Sequence, residues 1–112
     1  MKKEEKMVNQ EQIKEWKTQH GSIYKTSIGD SDLTFIWRKL KRQEYLDLMK
    51  EGENVLEDND KLFIRQDKMV EAVVLYPENI KEVIQQNAGV PTTLSDEILA
   101  KSGFDMATTK EL

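Results

Sequence analysis

The sequence predicts an α+β domain, mostly helical, in which one β-hairpin packs against four to five α-helices. Three observations predict it. Two runs rich in β-branched and aromatic residues, Ser22–Ile28 and Leu33–Leu40, flank the turn residues Gly29, Asp30, Ser31 and Asp32. Beyond residue 41 the apolar residues recur at three- and four-residue spacing, the helical period. With 112 residues, 38% of them hydrophobic and 34% charged, the chain suits one domain with a modest core under a densely charged surface.

The elements follow in chain order. Residues 1–8 are charged and read as a flexible arm, and 9–104 as the single domain. Asn9 is placed to cap a helix over Gln10–Gln19, with His20-Gly21 as its exit. Ile13, Trp16 and His20 share one face of that helix, which should lean on the core through Trp16. In the second strand Leu33, Phe35 and Trp37 share one face, and Thr34, Ile36 and Arg38 share the other. A lone hairpin is marginal in water, so helices must cover it.

Arg42–Lys50 then forms a helix with Tyr45, Leu48 and Met49 on one side, and Gly52–Asn59 is a polar, acidic break. The longest helix is expected over Asp60–Tyr76, where Leu62, Phe63, Gln66, Met69, Val70, Val73 and Val74 make a broad stripe. Pro77 ends it and opens a helix over Glu78–Gln86 that presents Ile80, Val83 and Ile84. Val90-Pro91 reads as an extended entry to a last helix. Thr93 is its expected N-cap, with Asp96 reaching back. Leu94 and Ile98 face inward, Gly103 takes the left-handed stop, and Phe104 follows as the hydrophobic partner of a Schellman end. Residues 105–112 read as a loose tail.

Composition narrows the chemistry. The chain has no Cys, which excludes disulfides, thiolate zinc sites and cysteine nucleophiles. His20 is the one histidine and falls at a helix exit, where a cationic imidazole suits the dipole, with no nucleophile at a telling spacing. The acidic segment Glu51–Asp60 fails as a calcium loop. Asp58 and Asp60 alternate, but Leu62 and Phe63 then stand where a ligand and the glycine belong. A non-enzymatic protein without metal or cofactor is expected. The charged N-terminus lacks the apolar stretch of a secretory signal, and the longest apolar run is Ala72–Tyr76, so a cytoplasmic protein without a membrane partner is expected.

Charge is unevenly spread. Residues 1–52 hold 11 basic and 9 acidic side chains, and residues 53–112 hold 6 basic and 12 acidic, within a net charge of −4. An uneven solvated surface is the plain reading; a dipolar chain that orients a partner, or a homo-oligomer stacked head to tail, is the functional one. The basic run Arg38–Arg42 lies beside two large aromatics. Phe35, Trp37, Arg38, Lys39 and Arg42 are therefore the candidate partner-binding residues, since aromatic anchors with Arg are the composition of binding hot spots. The same run would suit nucleic acid, but the acidic total and the lack of a second basic cluster weigh against that.

Two segments taken together resemble a known family. One is FIWRKLKRQEY, Phe35 to Tyr45, an aromatic strand running into a helix. The other is Leu75-Tyr76-Pro77 followed by AGVPTTL, Ala88 to Leu94, and Ser102-Gly103-Phe104. Their order, over about residues 12–104, resembles the tail assembly chaperones of contractile-tailed bacteriophages. The resemblance implies a non-enzymatic protein of the host cytoplasm that binds the tape-measure protein or another tail component before the tube polymerises. It assigns no particular binding residue. A permanent virion component of the baseplate or capsid is the alternative, and a small nucleic-acid-binding regulator the further one.

Overall fold

A computed structural model describes residues 9–29, 33–104 and 107–112. Its elements are α1 (Gln10–His20), β1 (Ile23–Ile28), β2 (Leu33–Arg38), α2 (Arg42–Met49), α3 (Asp58–Val73), β3 (Val74–Tyr76), α4 (Ile80–Gln86) and α5 (Val90–Lys101). The fold is α+β and mostly helical, as the sequence predicts. The expected arm over residues 1–8, the turn residues Asp30, Ser31 and Asp32, and Asp105 and Met106 of the expected tail lie outside the described residues. Residues 107–112 are exposed and carry no helix or strand. Among the described residues no helix is long and apolar enough to cross a membrane.

α1 forms where its caps place it. The Asn9 side chain accepts the Gln12 N–H at 2.8 Å, and Gly21, at φ +82°, donates its N–H to the Lys17 carbonyl at 2.8 Å. The helix packs along β1 with no fully buried residue, and Trp16 is half-buried, so it leans on the domain as expected.

The sheet departs from a plain hairpin. Its order is β1-β2-β3, antiparallel throughout, with Tyr24 opposite Trp37, Thr26 opposite Phe35 and Ile36 opposite Tyr76. The expected helix to Tyr76 therefore stops at Val73, and its last three residues form a third strand on β2. Local and tertiary forces agree here. Tyr76 precedes proline and is pushed out of the α region, Val74 is β-branched, and the second edge of β2 offers unpaired backbone groups.

Three helix starts also differ. α3 begins at Asp58 rather than Asp60. α4 begins at Ile80 rather than Glu78, with Asn79 in the cap position. α5 begins at Val90 with Gly89 in the cap position, so Thr93 is inside the first turn, where its N–H donates to the Gly89 carbonyl at 3.0 Å. Pro91 falls in that same first turn, where its missing N–H costs nothing because the group would have no helical partner anyway.

The core lies between one face of the sheet and α3, α4 and α5. Val70, Val73, Leu94 and Ile98 are wholly buried, and Phe35 and Trp37 retain 1% of their surface. Each such side chain contributes about 1.5–3 kcal/mol of burial. Ile36 is buried on the other face of the sheet, outside this cluster.

Candidate functional site

The chain leaves β2 at Arg38, and the next seven residues carry most of the candidate site. Arg38 makes a two-pronged contact with Glu44, Nη1 to Oε1 at 2.9 Å and Nη2 to Oε2 at 2.7 Å. The same guanidinium donates to the Lys39 carbonyl at 3.0 Å and to the Ala72 carbonyl near the end of α3, also at 3.0 Å. Glu44 has a second duty: its Oε1 accepts the Lys41 N–H at 2.9 Å, capping the first turn of α2. The Arg38 hydrogen bond holds the Glu44 carboxyl below the usual carboxylate range. Partial burial opposes that shift, and the Lys41 N–H and the charges of Arg38 and Lys41 add to it.

The far end of α5 closes against this turn. The Leu40 N–H donates to Ser102 Oγ at 2.9 Å, joining residues 62 apart in sequence. Gly103 then takes φ +106°, and the Phe104 N–H reaches back to the Leu99 carbonyl at 2.9 Å, the long bond of a Schellman end. That turn sets the Phe104 ring against Tyr45 of α2, with centroids 4.8 Å apart and planes tilted by 45°. Between the two walls lies a groove of about 290 Å³. Leu40 and the rings line it, Lys41 and Arg42 stand at its rim, and none of the described residues lining it is acidic. Phe104 keeps 50% of its surface exposed. A larger hollow of about 530 Å³ runs along α1, and the described residues that line it are all polar side chains of that helix and its cap.

The five candidate residues separate. Phe35 and Trp37 are core residues and present no surface to a partner, which corrects their reading as contact anchors. On the face of β2 that they share, they join the core cluster with residues of α2, α3, α4 and α5. Trp37 is fastened further: it stacks on Tyr24 with centroids 4.8 Å apart, and its indole N–H donates to Thr26 Oγ1 at 2.9 Å. Arg38 is committed as well, with its side chain 15% exposed and its fork filled. Lys39 and Arg42 are exposed, and neither forms an ion pair with an acid among the described residues. Sequence reasoning missed Lys41, Tyr45 and Phe104 as groove residues. A signal was available in part, because Arg42 and Tyr45 are three apart and share a helix face, and Phe104 follows a left-handed stop. What joins Phe104 to Tyr45 is tertiary. His20 is half-buried at the end of α1, and no cluster of acidic or histidine side chains able to hold a metal occurs among the described residues.

No protein-family model matches the chain, and no curated protein matches it in sequence. A solved structure, that of the uncharacterised protein rbstp2171 from Bacillus stearothermophilus, is similar in fold. It has a TM-score of 0.64 at 14% sequence identity, over 88% of this chain and 99% of that one. The similarity extends the α+β architecture to a second protein and is one of fold alone.

Proposed function

We propose that this chain is a non-enzymatic tail assembly chaperone of the contractile-tailed phage type, working in the host cytoplasm. It captures a structural tail protein, such as the tape-measure protein, in the groove between α2 and α5. One observation supports this above the others. The end of one segment that carries the family resemblance, Leu40–Tyr45, meets the last three residues of the other, Ser102–Phe104, at this groove, where the partly buried ring of Tyr45 and the half-exposed ring of Phe104 stand beside the exposed cations Lys41 and Arg42. Aromatic rings beside Arg are the usual composition of an energetic hot spot, and a basic rim selects an acidic, partly apolar segment.

The test is capture of purified tape-measure protein by the chain and by a variant carrying Arg42→Glu with Phe104→Ala. Both positions are exposed, so the variant is expected to keep its circular dichroism spectrum. Its affinity should fall at least about tenfold, or about 1.4 kcal/mol. Equal affinity would remove the groove from the account. Stoichiometric presence of the chain in purified virions would replace the chaperone with a permanent structural component.

A further inference from the structure

The apolar stripe of α3 is longer than the core that covers it. Leu62, Phe63, Gln66, Met69, Val70 and Val73 recur at helical spacing and share one face. Met69, Val70 and Val73 are buried, Gln66 is half-buried, and Leu62 and Phe63 are 49% and 55% exposed. The reason is where α5 begins. Thr92, in its first turn, donates to Gln66 Oε1 at 3.0 Å. Ser102, just past its last turn, bonds the Leu40 N–H, and Arg38 beside it reaches the Ala72 carbonyl. So α5 runs in the same sense as α3, starts level with Gln66, and leaves the Leu62/Phe63 face uncovered, while the end of α2 and the connector pack on the other side of these turns through Gly52, Lys61, Ile64 and Arg65.

The rim of the patch is acidic. Glu57, Asp58 and Asp60 are all exposed, and Lys61 offsets part of that charge with its Nζ 4.0 Å from Asp58. Two copies packing this patch on itself would set carboxylates against carboxylates, so charge opposes a symmetric contact. The groove between α2 and α5 has the opposite character, with aromatic walls and a basic rim. The two surfaces also lie toward opposite ends of α3. Phe63 is near its start, Arg38 ties the groove side to its end, and roughly 15 Å of helix separates them at 1.5 Å per residue.

We propose that the free chain associates with a second copy of itself head to tail, the Leu62/Phe63 patch of one molecule seated in the Tyr45/Phe104 groove of the next. The inference rests on the reading of that groove as a docking surface, and names its resting occupant. Such a contact is heterologous: each molecule keeps one unused face, so assembly continues beyond the dimer. A tail protein that takes the groove dismantles the assembly.

Sedimentation velocity over a range of protein concentrations, at low and high salt, tests it. The wild type should grow past the dimer at low salt and dissociate as salt rises. Arg42→Glu with Phe104→Ala removes the groove, and Leu62→Ser with Phe63→Asp removes the patch; each variant alone should stay monomeric. Mixed in equal amounts they should form a dimer and nothing larger, because together they supply one intact pair of faces. A wild type that is monomeric throughout, or a patch variant that still dimerises alone, overturns the proposal. Capture of tape-measure protein by the patch variant separates the two readings. If the wild type assembles and the patch variant captures nothing, the chaperone reading fails and self-association stands.

Discussion

Arg38 and Glu44 allow the commitment of the first candidate cation to be measured. Arg38→Met keeps the aliphatic stem but removes the fork, and Glu44→Gln removes the charge while leaving an oxygen for the Lys41 N–H. Charge-assisted hydrogen bonds contribute about 1.5–3 kcal/mol when buried, and exposed pairs about 0–1 kcal/mol. The side chains here are 15% and 30% exposed, so the pair lies between the buried and the open case and the coupling should fall near 1 kcal/mol. Arg38→Met alone should cost somewhat more, about 1–2 kcal/mol, because the exposed bonds to the Lys39 and Ala72 carbonyls are lost as well. For a chain of this size that lowers Tm by about 5–10 °C. Urea unfolding followed by tryptophan fluorescence, over wild type, both singles and the double variant, gives the coupling directly. The pH dependence has a fixed sign. The folded-state pKa of Glu44 lies below its unfolded value, so this stabilisation is present above the unfolded pKa and is lost as pH falls through the folded pKa. Single variants that add to within about 0.5 kcal/mol with no residual coupling would refute the pairing. So would a wild type that loses no more stability in acid than Glu44→Gln does.

Two further perturbations probe the frame of the site. Trp37→Ala removes a ring with 1% of its surface exposed and should cost about 3–5 kcal/mol, a large part of the roughly 5–15 kcal/mol that holds a domain together; circular dichroism melts should show a collapsed Tm, not an intact fold with weakened binding. Gly103→Ala meets no atom within 4 Å of its new Cβ, so its cost is the backbone strain of φ +106°, about 1–2 kcal/mol. It should also loosen Phe104 from Tyr45 and weaken tape-measure capture, whereas unchanged stability and capture would mean that this turn does not set the groove.

Features decided within one turn were legible in the sequence. The Asn9 cap, the stop at Gly21, the pairing of the two longer strands and the Schellman end at Gly103-Phe104 each need only neighbours a few residues away. The third strand was not, because Val74, Leu75 and Tyr76 continue the apolar period of α3, and only the open edge of β2, some forty residues earlier, gives them a better partner. The start of α5 was ambiguous for a related reason. Thr93 and Gly89 are both acceptable cap residues, and the contact of Thr92 with Gln66 on α3 belongs to the earlier start.

The site divides along the same line. Arg38 and Arg42 are the same residue type four positions apart, and composition treats them alike. Tertiary contacts make them opposites: Glu44 and the Ala72 carbonyl fill the fork of one, while the other sits at the rim of a groove with no acid among its described lining residues. Phe35 and Phe104 differ in the same way, one sealed in the core and the other half-exposed beside Tyr45. Hot-spot composition therefore marks a turn of the chain whose aromatics the fold has buried and whose first arginine it has paired. Only after the buried aromatics and the paired guanidinium are set aside does a surface remain that can bind, made of one cationic rim and two rings brought together across the domain.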